Sequence, residues 1–269
     1  MHYRLPPIAV AIADRNDEIR CLCLRTSMPT TLQTVSDPRQ NQLLASLSEA
    51  DWARWQPHLE WVDLPLGKVL CRLGSTPGYV VFPTTAIVSL MYMAEDGDSS
   101  EVAVVGLDGM VGLSLFMGSE VSPHEAVVQS AGQGYRLSAH RVNAEAEAGG
   151  PVMRMLLRYT QALLAQVTQT AAYIRHHSID QQFCRRLLQG LDRLPTNKMA
   201  MTQELAANLL GVRREGVTAA ARKLQLAGVI TYRRGHIEVL SRPRLEQGAC
   251  ELDGVGKSSR VRETLTLAA

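Results

Sequence analysis

Residues 201–240 constrain the possible fold more than any other part of this chain of 269 residues. Thr202 is a good N-cap, and a short apolar helix is predicted directly after it, over residues 205–210. Gly211 follows this helix and favours a tight turn, because glycine adopts left-handed backbone angles without strain. Two alanines inside the helix are small enough for a second helix to cross closely. The pattern therefore predicts a helix, a turn and a crossing helix.

The second helix is predicted over residues 214–227, with Gly228 at its C′ position. Its inward face is predicted to consist of Val217, Ala220, Ala221, Leu224 and Leu226. Two short strand patterns follow over residues 230–232 and 237–240, and the pair Arg233-Arg234 before Gly235 lies between them. A helix, a glycine turn, a helix and a basic two-stranded hairpin together predict a winged helix-turn-helix.

The polar residues of this unit fit double-stranded DNA. A recognition helix enters the major groove with its N-terminus first, so its first turns reach the base edges. Arginine pairs with guanine, glutamate accepts from cytosine, and other basic or hydroxyl groups contact phosphates. The predicted DNA-binding residues are Thr202, Gln203, Arg213, Arg214, Glu215, Thr218, Arg222, Lys223, Arg233 and Arg234. The alternative interpretation is a small helical protein-interaction domain.

Charge is distributed unevenly along the chain. Residues 41–150 contain 13 Asp and Glu against 5 Lys and Arg, a balance of −8. Residues 175–250 contain 13 Lys and Arg against 6 Asp and Glu, a balance of +7. Such asymmetry indicates a nucleic-acid-binding module joined to an acidic one, although a solvated basic face has the same signature.

The sequence pattern of the acidic region, residues 41–150, indicates a strand-rich domain. Residues 41–59 have near-helical apolar spacing, with Ser48 as an N-cap candidate. Between residues 62 and 137, short β-branched runs alternate with glycine- and aspartate-containing turns, which is typical of a sandwich or barrel. A short helix is expected within residues 110–117.

Residues 151–176 are predicted to form one long helix, since Pro151 is tolerated in a first turn. Seven residues in steps of three and four predict a dimerisation seam: Met153, Leu156, Thr160, Leu163, Val167, Thr170 and Ile174. Leu157, Leu164 and Tyr173 are expected to supply the contact within the chain. The alternative is that the helix packs on its own β domain. The domain boundary is placed near His176.

The residues of the two predicted helices resemble a known signature. Thr202-Gln203-Glu204, Ala207 and the run Leu210-Gly211-Val212-Arg213-Arg214-Glu215-Gly216-Val217 are similar to the helix-turn-helix of the Crp/Fnr family, the cyclic-AMP receptor and fumarate-nitrate regulators. The similarity extends from about residue 41 to residue 247. It implies an α+β fold with an N-terminal antiparallel β-roll of the jelly-roll, cyclic-nucleotide-binding-like kind over residues 41–150. A long dimerisation helix over 151–176 and a winged helix-turn-helix over 177–247 follow, between a poorly ordered extension (1–40) and a mobile tail (248–269).

The resemblance also implies a function. Members of the family are homodimers that bind a palindrome and activate or repress transcription, with an effector held in the β-roll. The expected partners are therefore double-stranded DNA, a second copy of the chain and RNA polymerase, and no enzymatic activity is expected. Ala219 stands where the family often has a second arginine, so the usual operator is not assumed.

The effector site departs from the cyclic-AMP-binding members. The ribose carboxylate of their Gly-Glu-Leu motif is absent from Gly112-Leu113-Ser114, and His124-Glu125 stands where an arginine binds the phosphate. Without a guanidinium, a phosphate would meet a domain with a balance of −8. We predict an effector pocket at Leu113, Ser114, His124 and Glu125 that does not bind cyclic AMP in the usual way, and we expect no cofactor or metal.

Three alternatives remain open. A haem- or metal-dependent sensor would use His124, His58, His176, His177 or the five cysteines, Cys21, Cys23, Cys71, Cys184 and Cys250, which contain no CxxC pair. An enzyme lacks support, because no phosphate-binding loop, nucleophile elbow or HExxH motif occurs. An architectural protein would use the β domain only to dimerise. No run of eighteen apolar residues and no signal peptide is recognised, so no membrane partner and a cytoplasmic location are expected.

Overall fold

The structure is a computed structural model that describes residues 36–93, 99–119, 121–194 and 196–249. Several predictions fall outside these ranges: most of the extension over residues 1–40, the tail beyond residue 249, and Cys21, Cys23 and Cys250.

Two antiparallel sheets form the N-terminal β domain within the described residues. One sheet has the strand order β1-β7-β3 and the other the order β2-β6-β4-β5. The strands are β1 (Glu60–Leu64), β2 (Val69–Cys71), β3 (Tyr79–Pro83), β4 (Ile87–Met93), β5 (Ser99–Val105), β6 (Glu125–Ser130) and β7 (Gly132–Ser138). The β-branched runs become strands because their side chains fit a buried pleated surface. The predicted sandwich of short strands is therefore confirmed.

The segment before the strands is not one helix. It is divided into α1 (Gln42–Ala45) and α2 (Glu49–Trp55), with short 3-10 turns at Pro38–Gln40 and Gln56–His58. Two N-caps in succession explain the break: the Asn41 side chain accepts from two amides of α1, and Ser48 accepts from the Asp51 amide at 3.2 Å. Ser48 therefore caps a helix as predicted, but the periodicity hid the interruption.

Residues 36–40, which we assigned to the poorly ordered extension, are attached to the β domain. The Ser36 hydroxyl and the Thr84 hydroxyl are 2.7 Å apart, and Tyr135 donates to the Ser36 carbonyl at 2.6 Å. The extension therefore ends earlier than residue 40.

The short helix expected within residues 110–117 is a 3-10 helix at Leu113–Leu115. A further helix, α3 (Ala139–Ala148), was not predicted. Its only buried side chain is Val142, so its sequence lacks the repeated apolar residues that reveal an amphipathic helix.

The long helix α4 spans Pro151–His176, the predicted bounds. Its buried face consists of Val152, Leu156, Tyr159, Ala162 and Gln166, and this face packs on the chain's own β domain.

The assignment of Leu156 to the dimer seam is wrong, because this side chain is fully buried in the chain's own core. Met153, Leu163 and Val167 also pack partly against it. Conversely, Leu157 and Leu164, which we assigned to the contact within the chain, are 51% and 64% exposed. One residue corresponds to about 100° around a helix, so a shift of one position turns the predicted stripe by that angle onto a neighbouring face.

The C-terminal domain contains α5 (Ile179–Leu191), α6 (Gln203–Leu210), α7 (Arg214–Leu226) and α8 (Arg242–Ala249). Its strands β8 (Lys198–Ala200), β9 (Ile230–Arg233) and β10 (His236–Val239) pair in the order β8-β10-β9.

Three predictions for this domain need correction. The predicted two-stranded hairpin has a third strand, β8, which pairs with β10. Residues 248 and 249, assigned to the mobile tail, belong to α8, whose Leu245 and Ala249 are buried. Leu226, predicted to face inward, is 80% exposed because it lies at the last position of α7.

Buried apolar side chains of the described residues form three clusters, two of them in the β domain. The third is the core of the C-terminal domain, with Phe183, Leu187, Val217 and Ile237 fully buried. This third cluster also includes Met91 of β4. The C-terminal domain is therefore packed against the sheet that contains β4.

Candidate nucleic-acid interface

The turn between α6 and α7 has the geometry that the sequence predicts. The Thr202 hydroxyl accepts from the Leu205 amide at 3.0 Å and caps α6. Gly211 has φ = 62°, in the left-handed region, and the Val212 amide then donates to the Ala207 carbonyl at 3.0 Å. This reversal directs the chain into α7, so that the two helices cross over small buried residues.

Small residues on α7 allow it to sit deep in the domain. Val217, Ala220 and Ala221 are all buried. A Cβ at Gly216 would lie 2.8 Å from Cδ1 of Ile179, so any larger residue there would require the Ile179 side chain to move. The helix α7 therefore packs closely against the first residue of α5.

The opposite face of α7 points to solvent and carries most of the predicted DNA-binding residues. Arg213, Arg214, Glu215, Thr218 and Arg222 are all exposed. The Thr218 hydroxyl lies 2.8 Å from Oε1 of Gln203 and donates to the Arg214 carbonyl at 3.0 Å. The structure therefore brings these residues, with Gln203 and Thr202, onto one surface.

The arginines of this surface have no anionic partner within the part of the chain that the structure describes. Among the described residues, Arg213, Arg214 and Arg222 form no ion pair, and neither do Arg233 and Arg234 of the hairpin. Lys223 differs, because its Nζ lies 2.5 Å from Oδ2 of Asp180 on α5. Its charge is partly neutralised within the chain, which the sequence pattern did not reveal.

The hairpin is held beside the start of α6. The Met201 amide donates to the Gly235 carbonyl at 2.7 Å, and the Tyr232 hydroxyl donates to the Met201 carbonyl at 2.8 Å. Burial raises the pKa of Tyr232 to about 12, so this hydroxyl remains a donor at neutral pH. The tip is a two-residue turn in which Arg234 has φ = 50° and Gly235 has φ = 79°. The backbone therefore presents Arg233 and Arg234 beside α6 and α7.

The four predicted effector residues differ in burial. Leu113 and Ser114 are buried, and Leu113 belongs to a core cluster of the β domain. His124 and Glu125 are half-buried, and burial lowers the pKa of His124. Two cavities, of about 330 Å³ beside Trp55 and about 40 Å³ beside Gln166, are lined by other residues.

Several candidate haem and metal ligands lie within the described residues. Within the described ranges, no group of three or more His, Cys, Asp or Glu side chains is arranged to hold a metal ion. His177 is the C-cap of α4 and stacks on Tyr173, with ring centroids 4.1 Å apart. Cys71 and Cys184 are buried and free, and burial raises the pKa of Cys184 to about 11. No described helix has both the length and the apolar character needed to cross a membrane.

One polar cluster was missed by sequence reasoning, and it lies where the C-terminal domain meets the β domain. We call Ser89 of β4, Glu101 of β5, Gln129 of β6 and Arg186 of α5 the junction cluster. Nε of Arg186 lies 3.0 Å from Oε1 of Glu101, and the two side chains are only 3% and 6% exposed. Ser89 donates to Glu101, and Arg186 also donates to Gln129. One signal for this cluster was present in the sequence. Arg186 is a charged residue on the apolar face of α5, three positions after Phe183, and a charge in such a place requires a buried partner.

The charges of the junction cluster are strongly influenced by their surroundings. Burial raises the pKa of Glu101, while the Arg186 guanidinium and the Ser89 hydroxyl act in the opposite direction. Burial likewise lowers the pKa of Arg186, and Glu101 opposes that shift. Each group therefore depends on the other to remain charged inside the protein.

Comparison with protein families assigns the C-terminal domain. Residues 181–247 match a family described as the Crp-like helix-turn-helix domain. This segment contains α6, α7 and the hairpin, and most of α5. A comparison with curated proteins gave no significant match.

Solved structures resemble the chain over both domains. FixK2 from Bradyrhizobium japonicum aligns with a TM-score of 0.63 at 18% identity, over 74% of this chain and 99% of FixK2. A transcriptional regulator of the CRP/FNR family from Thermus thermophilus aligns at 0.57 and 19% identity, over 71% and 98%. The c-di-GMP responsive regulator CLP from Xanthomonas campestris aligns at 0.54 and 17% identity, over 69% and 95%. At these identities the likeness shows the fold.

The domain match and the shared fold agree with each other. Residues 181–247 form a Crp-like helix-turn-helix domain, and the chain has the fold of solved regulators of the Crp/Fnr family. The predicted α+β fold and the family resemblance are confirmed. The DNA contacts of individual residues stay predictions.

Proposed function

We propose that the protein regulates transcription by binding a palindromic operator in double-stranded DNA as a homodimer. The observation that carries the proposal is a row of exposed arginines at the start of α7 and along it, Arg213, Arg214 and Arg222, which form no ion pair among the described residues and lie within a Crp-like helix-turn-helix. Arg214 and Glu215 in the first turn would contact base edges, and Arg233 and Arg234 of the hairpin would contact phosphates. The protein would act by binding, with RNA polymerase as a further partner, and not by catalysis.

The dimer would form through α4. Its exposed face carries an uncharged stripe in steps of four and three, one residue further along than the seam that the sequence predicted: Leu157, Gln161, Leu164, Thr168 and Ala171. The helix has 26 residues, a length of about 39 Å, and the small side chains in the second half of the stripe allow close approach. A two-fold contact along this stripe would orient two copies of α7 toward major grooves about 34 Å apart.

Switching would not use cyclic AMP in the usual way. Leu113 and Ser114 are buried and offer no carboxylate for a ribose, and His124 stands where an arginine would bind a phosphate. Burial also lowers the pKa of His124, so the neutral imidazole is favoured and supplies no fixed charge for a phosphate.

Fluorescence anisotropy on DNA from upstream of the protein's own gene tests the proposal. The titration is repeated across a salt series, without nucleotide, with cyclic AMP, and with c-di-GMP, to which the similar protein CLP is responsive. We expect tight, salt-dependent binding without cyclic AMP. Binding that appears only with cyclic AMP would contradict the proposed switching, and the absence of sequence-specific binding under every condition would contradict the function.

Sedimentation of Leu164→Glu tests the dimer contact. A buried, unpaired carboxylate at the centre of the stripe opposes association, so we expect a monomer that binds DNA weakly. Leu226→Glu is the matched control, because this leucine is also exposed but lies on α7, outside the stripe. A dimer of unchanged stability in Leu164→Glu would exclude this face.

A further inference from the structure

The junction cluster joins the two domains through directional contacts. Arg186 lies on α5 of the C-terminal domain, while Ser89, Glu101 and Gln129 lie on three neighbouring strands of one β-domain sheet. Nη2 of Arg186 donates to Oε2 of Glu101 at 3.2 Å and also to Gln129. Ser89 lies 3.0 Å from Oε1 of Gln129. Arg186 is thus held by side chains from two strands at once.

A second ion pair attaches the other end of the same helix. Arg193, two residues after the end of α5, pairs with Asp108 of the β domain at 2.7 Å. A Cβ at Gly106 would lie 2.9 Å from the Arg193 side chain, so the chain after β5 is in close contact with it. The helix α5 is therefore fixed to the β domain at two points, at Arg186 and beyond Leu191.

The orientation of α5 determines that of the recognition helix. Ile179 of α5 lies against Gly216 of α7, and Phe183 and Leu187 share one core cluster with Val217. Lys223 of α7 also pairs with Asp180 of α5. A rotation of α5 on the sheet would therefore carry α7 with it.

Apolar packing alone would not select one orientation, because hydrophobic burial is largely non-directional. The interface around Met91 would tolerate some sliding of the two apolar surfaces. A buried ion pair is different, since displacing either partner leaves an uncompensated charge in the interior. Only orientations that keep Arg186 on Glu101 are therefore favourable.

We propose that Glu101 and Arg186 are positioning residues, whose buried ion pair fixes α7 at one orientation relative to α4. This inference rests on the proposed dimeric function. In such a dimer, the ion pair would set the separation of the two recognition helices. Glu101 and Arg186 would thus determine which half-site spacing the dimer accepts, although neither residue touches DNA.

The test compares spacing preference in the full-length protein. Duplexes are selected by the wild-type chain from a random pool, and their central spacer is then lengthened or shortened by one base pair. The variant Glu101→Met/Arg186→Met removes both charges, keeps similar volume and leaves Ser89 and Gln129 able to pair with each other. The control, Glu60→Met/Arg136→Met, removes an exposed ion pair between β1 and β7.

We expect the double variant to remain folded and dimeric, but its preference for the selected spacing to fall about tenfold, within the roughly 5- to 150-fold range of domain coupling. Hydrogen exchange in β5 and α5 should accelerate in this variant and not in the control. A merely stabilising role would leave the spacing preference unchanged once the protein is folded.

The outcomes separate the inference from the proposed function. A wild-type chain that enriches no duplex contradicts the proposed function itself. A double variant that retains the wild-type spacing preference overturns the positioning role alone. If the double variant does not fold, Arg186→Lys carries the test, because lysine keeps the charge without the planar guanidinium geometry. We expect a smaller loss of preference in Arg186→Lys, and an unchanged preference would overturn the inference.

Discussion

The C-terminal domain presents its positive charges on two faces that are used in opposite ways. On the face toward the β domain, Arg186 and Arg193 are almost fully buried, and each is paired with a carboxylate. On the outward face, Arg213, Arg214 and Arg222 are exposed and form no ion pair with any described residue. The balance of +7 over residues 175–250 is therefore not a single basic patch. Part of it holds the domain in place, and a separate group of exposed arginines, which form no ion pair among the described residues, is proposed to meet an anionic partner.

The physical reason for the difference is desolvation. A buried charge without a partner is costly, so the inner arginines require Glu101 and Asp108. An exposed charge keeps its water and gains little from a partner in the same chain. The two faces should therefore respond differently to the same substitution: the inner face through the free energy of unfolding, and the outer face through DNA affinity.

The largest effect is expected for Arg186→Met. It leaves Glu101 charged or forced to take up a proton inside the protein, so we expect a loss of about 3–5 kcal/mol in the free energy of unfolding. Urea denaturation of the purified protein measures this change. Arg222→Met, the same substitution on the outward face, should change stability by less than about 0.5 kcal/mol. Equal losses in the two variants would remove the distinction between the faces.

Arg214→Ala should have the next largest effect, and only on DNA. We expect a loss of about 1–3 kcal/mol in binding and relaxed specificity at one base pair, because a bidentate contact to a base would be lost. Anisotropy with duplexes that differ at single positions measures both quantities. The urea midpoint should stay unchanged, since the exposed guanidinium has no ion-pair partner among the described residues. An unchanged sequence preference would exclude Arg214 from base recognition.

Arg234→Asn should move stability and binding in opposite directions. Arg234 has φ = 50°, where most side chains are strained by roughly 1 kcal/mol and asparagine is tolerated better. We therefore expect a gain of up to about 1 kcal/mol in the free energy of unfolding, together with weaker binding to every duplex. Urea denaturation and a salt series on the same sample measure the two effects. A variant that loses stability would show that the Arg234 side chain has a structural role.

How much the sequence predicts also differs between the two faces. Thr202, Gly211 and Gly228 fix the ends of the outward helices by local backbone chemistry, so the helix bounds follow from nearby residues. The junction cluster could not be predicted in this way, because its three strand residues meet Arg186 only after the chain folds. Leu156, Leu157 and Leu164 were assigned to the wrong faces of α4 for a related reason. Two uncharged stripes run along that helix one residue apart, and only the packing of Leu156 shows which is internal.

The smallest effect is expected in the salt dependence of DNA binding, and it compares Arg222 with Lys223, which are adjacent in sequence. Arg222 is without an ion pair among the described residues, whereas Lys223 pairs with Asp180 on α5 and is 68% exposed. A lysine that already has a carboxylate partner displaces fewer counterions when it approaches a phosphate. We therefore expect Arg222→Gln to reduce the slope of log K against log salt by about 0.9, and Lys223→Gln to reduce it by less. The same two substitutions are then compared in an Asp180→Asn background. If Lys223→Gln there reduces the slope as much as Arg222→Gln, the pair with Asp180 is what distinguishes the two residues. If the two substitutions already reduce the slope equally with Asp180 present, Lys223 exchanges its carboxylate for a phosphate on binding.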